Sequence, residues 1–173
     1  MMSVFVRTVL IIAVLSGLRF AVVEAREPAE TIKISRFSGK PLPRFESLRY
    51  SAVHGRQGPN LDHPIVWRYE RAGLPVLVVR ETHGWRRIRD PDGDEVWMQA
   101  RMLSESRTVM ITRDSQLKRA PDAAARPKAH LKEGLVAELI ACSDGWCEIE
   151  VDRRSGWLPK VRLWGTEVDT AGL

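Results

Sequence analysis

The fold of this chain is decided by the stretch GLPVLVVRETHGWRRI at residues 73–88, which returns as GLVAELIACSDGWCEI at residues 134–149. The offset of 61 residues is constant, and a Gly, a Leu, a second Gly, a Trp and an Ile coincide. With one residue fewer in a later turn, Trp97 falls on Trp157. We therefore interpret the chain as two tandem units of about sixty residues each, at 46–104 and 108–165.

Each unit alternates apolar and polar residues with a period of two, which predicts strands rather than helices. The predicted strands are Val76–Glu81, Trp85–Arg89, Ala137–Cys142 and Trp146–Val151. Short strands of this kind bury one face only when the sheet curls. We expect an all-β fold of two small five-stranded barrels.

Turn residues separate these strands. The two strands of the first unit are connected by a turn at Thr82-His83-Gly84. Those of the second unit are connected at Asp144-Gly145, which favours a hairpin turn in which both central residues have positive φ. Further turns are predicted at 90–93 and 152–156. Strict alternation places Val79 and Ile140 on the core-facing side.

Cys142 and Cys147 flank the second turn and are the two cysteines of the chain. Across a two-residue turn they are directly opposite each other, close enough for a covalent bridge. We predict a disulfide, and two buried free thiols are the alternative. A metal site is not expected at the two sulfurs, because the four His residues are scattered at 54, 63, 83 and 130.

The N-terminus predicts export. One positive charge in residues 1–7 precedes an apolar run at 8–18, and Val23-Glu24-Ala25 places small residues at the two positions that a signal peptidase reads. We interpret residues 1–25 as a signal peptide cleaved after Ala25, with an uncleaved anchor as the alternative. Contact with the membrane is then transient, and the mature protein is periplasmic or secreted. Residues 26–45 are predicted as a linker and first-strand lead-in, and 166–173 as a tail.

The charge pattern gives no reason to expect a nucleic-acid partner. The chain of 173 residues has 27 basic and 22 acidic residues, a formal net charge of +5. Removal of residues 1–25 leaves +4, with both signs interspersed instead of forming one basic stripe.

Motifs for catalysis or cofactor binding are weak. Ser115 and Lys118 match the S-x-x-K spacing of serine hydrolases, but they lie in a strand-and-turn context without the partner motifs. The acidic run at 90–94 resembles the start of a calcium loop, yet Glu95 stands where that loop needs Gly. We predict no enzyme activity, no cofactor and no metal.

These residues together resemble exported proteobacterial proteins with two bacterial SH3-like domains. The resemblance covers residues 39–168 and rests on the order and spacing of several short motifs. They are Leu42-Pro43-Arg44-Phe45, Gly58-Pro59, Gly73-Leu74-Pro75, Trp85-Arg86-Arg87-Ile88, Asp92-Gly93, Cys142 with Trp146-Cys147, and Gly156-Trp157 through Leu163-Trp164-Gly165. Two positions depart from the family pattern: Gly55 replaces an aliphatic strand residue, and Val96 replaces a Gly before the Trp.

The resemblance implies a peptide groove beside the short loop of each unit. Trp85 and Trp146 are then the first candidates for stacking on a ligand, with Trp67 and Tyr69 second. Alternatively, these tryptophans cover the seam between the units or cap their own hairpins. Trp97 and Trp157 are expected in the core, and His130 is assigned to the position of Tyr69 with a packing or surface role.

From these features we expect a non-enzymatic periplasmic binding module for a peptide or a peptidoglycan stem peptide. The alternative is a structural or assembly partner in the cell envelope whose Trp faces are buried against another protein. A hydrolase is retained only if Ser115 and Lys118 lie within hydrogen-bonding distance in a pocket.

Overall fold

A computed structural model describes residues 33–166, which form β-strands connected by turns and two single-turn 3-10 helices, Ala100–Met102 and Lys160–Arg162. The predicted signal peptide and cleavage site lie outside the described residues. The strands of the first unit and its lead-in are β1 (Lys33–Ile34), β2 (Pro41–Leu42), β3 (Arg44–Leu48), β4 (Val53–Arg56), β5 (Ile65–Tyr69), β6 (Pro75–Thr82), β7 (Trp85–Arg89), β8 (Glu95–Gln99) and β9 (Leu103–Ser104). Those of the second unit are β10 (Thr108–Ile111), β11 (Ser115–Lys118), β12 (Pro127–Leu131), β13 (Val136–Ser143), β14 (Trp146–Val151), β15 (Arg154–Pro159) and β16 (Leu163–Trp164).

The all-β prediction is confirmed. Two antiparallel seven-stranded sheets have the orders β5-β4-β8-β7-β6-β3-β9 and β12-β11-β15-β14-β13-β10-β16, so the second sheet repeats the topology of the first. Five strands per unit were predicted. Each sheet has two additional strands. One is the second arm of the hairpin around the long first loop (β5 or β12), and the other is the short strand after the 3-10 turn (β9 or β16).

Each sheet encloses its own hydrophobic core. The buried residues of the first core come from β3, β4, β6, β7, β8 and β9, and those of the second come from the equivalent strands and from Leu131 of β12. Because one sheet supplies each cluster, the sheet must curl around it. No helix within residues 33–166 combines the length and hydrophobicity needed to cross a membrane.

The prediction that Val79 and Ile140 face the core is wrong. Each lies at a β-bulge, where the register shifts between Val78 and Arg80 in one hairpin and between Leu139 and Ala141 in the other. The extra residue reverses the alternation, so Val78 and Leu139 are buried and Ile140 is 44% exposed.

The prediction that Trp97 and Trp157 are core residues is also wrong. Both are half-buried, whereas their chain neighbours Val96, Met98 and Leu158 are buried. In a strand, neighbouring side chains point to opposite faces, so the tryptophans lie on the outer side of the sheet.

The Asp144-Gly145 turn has the predicted conformation, with φ of 50° and 78°. The last predicted turn is shorter than expected, because Asp152 and Arg153, with φ of 48° and 61°, form it alone and Val151 pairs with Arg154. The strand β15 therefore begins inside the segment predicted as a turn.

The two departures from the family pattern, Gly55 and Val96, compensate for each other. A Cβ on Gly55 would lie 2.7 Å from Cγ2 of Val96, so the small residue makes room for the large one. In the second unit the sizes are exchanged, because a Cβ on Gly156 would lie 2.6 Å from Cγ of Leu117. Where β4 lies beside β8, and β11 beside β15, there is thus room for one large side chain, which either strand can supply.

The units pack closely against each other. The indole Nε1 of Trp164 donates to the carbonyl of Pro75 at 3.2 Å, and its ring meets Phe45 edge-to-face with centroids 5.2 Å apart. The Thr108 hydroxyl donates to the carbonyl of Gly73 at 2.6 Å. The seam is therefore built from Phe45 and Trp164, not from Trp85 and Trp146.

Candidate functional site

Trp85 and Trp146 occupy the same place in the two units, at the start of the strand that follows the short loop. Trp85 pairs with Gln99 across the sheet, and Trp146 pairs with Pro159. Both are half-buried, and each lines a cleft between that strand and the hairpin of the long first loop. One face of each indole is therefore available at a concave surface.

The two clefts are equivalent in position but differ in size. The cleft beside Trp85 has a volume of about 100 Å³, and the cleft beside Trp146 about 620 Å³. Every residue that lines the small cleft has its counterpart in the large one. In order, Ala52, His54, Arg56, Leu61, Trp85, Gln99 and Met102 correspond to Asp114, Gln116, Lys118, Ala123, Trp146, Pro159 and Arg162.

The large cleft is an aromatic and apolar surface surrounded by charge. Trp146, Leu158 and Pro159 supply the apolar part. The remaining lining residues include four basic or potentially basic side chains and one acidic one, namely Lys118, His130, Lys132, Arg162 and Asp114. Such a mixture suits an extended polar ligand that places a flat or aliphatic group on the indole.

Asp114 is already partnered in this cleft. Its carboxylate accepts from Lys132 Nζ at 2.6 Å and from the backbone of Glu133 at 3.0 Å. Both hydrogen bonds, with the charge of Lys132, hold the pKa of Asp114 below its ordinary value. The carboxylate is therefore ionised at neutral pH and directed at Lys132.

Trp67 and Tyr69 lie on β5 and are not brought into the cleft of Trp85. The Trp67 side chain is 49% exposed, whereas Tyr69 packs on the first core. The Tyr69 hydroxyl donates to Asp90 at 2.9 Å. Burial, then this hydrogen bond and the charge of Asp90, raise the pKa of Tyr69 far above its ordinary value. The structure gives Tyr69 a structural contact, and the ligand roles of both residues stay predictions.

The assignment of His130 to the position of Tyr69 is wrong. Val53 pairs with Tyr69, whereas the equivalent Ser115 pairs with Leu131. The turn after β5 is one residue longer than the turn after β12, so the constant offset fails there. His130 instead corresponds to Arg68 and lines the large cleft.

The predicted disulfide is confirmed. Cys142 and Cys147 pair across β13 and β14 with Cα atoms 4.0 Å apart and are covalently bonded. Trp146 is the residue before Cys147, so the bridge restrains the hairpin end that carries the cleft tryptophan.

An ion-pair network replaces the disulfide in the first unit, where Glu81 and Arg86 hold the equivalent positions. The Glu81 side chain is fully buried, and its carboxylate lies 2.8 Å from Nε of Arg86, at an angle too bent for a hydrogen bond. It also binds Arg44, Ser35 and Ser38, the last at 2.6 Å. The predicted linker is thereby attached to the first unit.

Burial by itself would raise the pKa of Glu81. The hydrogen bonds from Ser35, Ser38 and Arg44, with the charge of Arg44, outweigh it and hold that pKa below its ordinary value. The network is thus ionised at neutral pH.

The residues of the S-x-x-K motif and of the acidic run at 90–94 form hydrogen bonds within the fold. Ser115 donates to the carbonyl of Arg113 at 2.8 Å, and Lys118 donates to Gln116 at 3.3 Å, so the two do not form the hydrogen bond that a hydrolase needs. Asp90 accepts backbone hydrogen bonds from Asp92 and Asp94 and so shapes its turn. Among residues 33–166, no cluster of three or more His, Cys, Asp or Glu side chains could bind a metal ion.

Sequence reasoning missed most of the large cleft. Asp114, His130, Lys132 and Arg162 lie in different turns and strands, and nothing in their spacing brings them together. For Asp114 and Arg162 a usable signal was the position relative to the repeat, because their equivalents Ala52 and Met102 line the other cleft, whereas His130 and Lys132 have no counterpart there.

Two segments of the chain, residues 50–105 and 116–165, match the family model of the bacterial SH3 domain. Among solved structures, NlpC2 from Trichomonas vaginalis is similar at 12% identity over 70% of this chain and 48% of that one, with a TM-score of 0.33. NlpC1 from the same organism is similar at 13% identity over 79% and 51%, also with a TM-score of 0.33. An NlpC/P60 family protein from Bacillus cereus ATCC 10987 is similar at 12% identity over 70% and 57%, with a TM-score of 0.32. The chain spans about half the length of these solved proteins. No curated protein matches it.

Proposed function

Because the chain belongs to the bacterial SH3 domain family, we propose that it is a non-enzymatic periplasmic module that binds a peptide or a peptidoglycan stem peptide. Bacterial SH3 domains are generally binding modules, commonly for peptidoglycan or proteins. The single observation that carries the proposal for this chain is the cleft of about 620 Å³ beside Trp146.

The composition of this cleft supports an extended ligand. An indole face and the ring of Pro159 offer flat apolar contacts for an aliphatic side chain or a backbone segment. Gln116 and Ser115 offer hydrogen-bonding groups beside them. A ligand with alternating apolar and polar groups satisfies both sets.

The absence of enzyme activity is part of the proposal. Ser115 and Lys118 line the same cleft, but their hydrogen bonds go to Arg113 and Gln116 and not to each other. A serine without a base to accept its proton is a poor nucleophile, which favours binding over hydrolysis.

Export is supported by the order of charge, apolar run and small residues in positions 1–25. Expression of the full chain in a Gram-negative host, followed by fractionation and N-terminal sequencing, tests it. We expect a periplasmic protein that begins at Arg26, and a cytoplasmic protein that retains Met1 would contradict this part of the proposal.

The binding test is a titration of the purified protein with soluble peptidoglycan fragments and proline-containing peptides, followed by Trp fluorescence and calorimetry. We expect at least one probe to bind. Absence of binding at millimolar concentrations of every probe would reject the proposed function.

A role as an assembly partner in the envelope is the second candidate. Ile65, Val66 and Trp67 on the edge strand β5 are each about half exposed, and an apolar patch of this kind along a sheet edge favours pairing with another chain. Replacement of Val66, which lines neither cleft, by Ser separates the two roles. It should leave fragment binding intact but abolish cross-linking to an envelope protein if the patch is the interface.

A further inference from the structure

We infer that the second unit alone binds the ligand, and that this ligand is an extended peptide that carries carboxylates. The inference rests on the proposed function and adds the site and the ligand class. It follows from the difference between two equivalent clefts, of about 100 Å³ and about 620 Å³, in which every residue that lines the smaller cleft has a counterpart in the larger one.

The first unit narrows its own cleft with its long loop. Arg56 Nη1 donates to the carbonyl of Leu61 at 3.0 Å and to that of His63 at 2.7 Å. Asn60 accepts from the backbone of Asp62 and His63, which tightens the same turn. Leu61 then lines the cleft beside Trp85 and narrows it from the loop side, although its side chain stays 62% exposed.

The second unit has the same turn without the large side chain of Leu61. Asp122 caps the backbone of Ala124 at 2.9 Å, as Asn60 does in the first unit. Ala123 stands at the position of Leu61. Lys118, in the position of Arg56, donates to Gln116 and not to loop carbonyls. The small side chain of Ala123, and a cation that makes no hydrogen bond to the loop, therefore leave this cleft open.

The charge of the open cleft selects the ligand class. Lys132 is paired with Asp114, which leaves Lys118 and Arg162 without an acidic partner among the described residues. Arg162 stands where the first unit has Met102, and Lys118 directs its charge to the cleft instead of to a loop. Two uncompensated cations beside an indole favour a carboxylate-bearing peptide over a neutral one.

Two sources supply this chemistry: a peptidoglycan stem peptide and an acidic segment of a protein. The test therefore uses three probes. They are the free stem peptide L-Ala-D-Glu-diaminopimelate-D-Ala, a linear peptide of proline, glycine and glutamate, and the same linear peptide with glutamine in place of every glutamate. Binding is measured by calorimetry on the full protein at low and high salt.

We expect the stem peptide, the glutamate peptide or both to bind, and the glutamine peptide to bind about tenfold more weakly or not at all. High salt should weaken the carboxylate-dependent binding. Which of the two acidic probes binds more tightly identifies the source. Equal binding of the glutamate and glutamine peptides would overturn the ligand class.

Substitutions locate the site. Trp146→Ala should weaken binding about 30-fold or more, as for an interface hot spot, whereas Trp85→Ala should retain it. The double substitution of Lys118 and Arg162 by Gln should remove the preference for the glutamate peptide. Melting curves identify a variant that has failed to fold. If a variant does not fold, the site is located in the wild type instead, by the chemical-shift changes of the Trp146 indole when the binding probe is added.

The outcomes separate the two levels of the proposal. If no probe binds the wild type, the proposed function fails together with this inference. If a probe binds but Trp85→Ala abolishes binding and Trp146→Ala does not, the protein is a binding module and only the assignment to the second unit is wrong.

Discussion

The buried carboxylate of Glu81 is the feature whose removal should affect stability most. Glu81→Gln preserves the shape of the side chain but removes its charge. Arg44 and Arg86, only 12% and 14% exposed, then face a neutral amide, although Arg44 keeps Glu46 as a partner. Removal of one partner of a buried ion pair costs about 3–5 kcal/mol.

Because Glu46 compensates Arg44 in part, we take the lower limit of about 3 kcal/mol. At about 4 °C per kcal/mol for a small domain, the melting temperature should fall by at least about 12 °C. Calorimetry at pH 7 measures this shift. Reduced packing of residues 33–42 on the first unit should accompany it and is visible by amide hydrogen exchange.

The matched control is Glu105→Gln. Glu105 pairs with Lys40 of the same N-terminal segment, but its side chain is 76% exposed, so water screens the pair. This variant should melt close to the wild type. Equal melting temperatures for Glu81→Gln and Glu105→Gln would refute the assignment of a stabilising role to the buried network.

The network should also determine the response to acid. The pKa of Glu81 is depressed in the folded protein, so its contribution is complete above the unfolded-state pKa of about 4.3 and is lost as the pH falls through the folded value. The wild type should therefore lose stability below about pH 4 more steeply than Glu81→Gln. Parallel stability curves for the two proteins between pH 5 and pH 2 would contradict this.

Three further substitutions test the other structural conclusions. Replacement of both Cys142 and Cys147 by Ser opens a loop with a sequence separation of 5, which costs about 2 kcal/mol by chain entropy, and urea unfolding should show the loss. Tyr69→Phe should cost about 1 kcal/mol at neutral pH. Because the pKa of Tyr69 is raised on folding, the wild type should also lose stability above about pH 10, and an alkaline titration of the Phe variant should lack this component. Gly156→Ala should cost about 1–3 kcal/mol, and Leu117→Ala in the same chain should recover part of it, so strict additivity of the two in denaturant unfolding would contradict the packing argument.

The fold was largely predictable because its signals are local. The period of two, the Asp144-Gly145 turn and the pairing of Cys142 with Cys147 each depend on residues a few positions apart. The bulges at Val79 and Ile140 were missed for the same reason. The alternation of apolar and polar residues predicts side-chain faces only for an uninterrupted strand. A bulge adds one residue and reverses the faces beyond it, and the local sequence pattern does not reveal where this happens.

Strand periodicity, turn chemistry and repetition are properties of neighbouring residues, so an all-β chain of two related units with one covalently closed hairpin could be predicted from the amino-acid order. The folded protein was needed to show that the seam is formed by Phe45 and Trp164, and that one cleft is narrow while its counterpart is open. These outcomes depend on contacts between residues far apart in the chain. The side chain of Leu61 or of Ala123 acquires its meaning only when a folded loop places it beside a tryptophan.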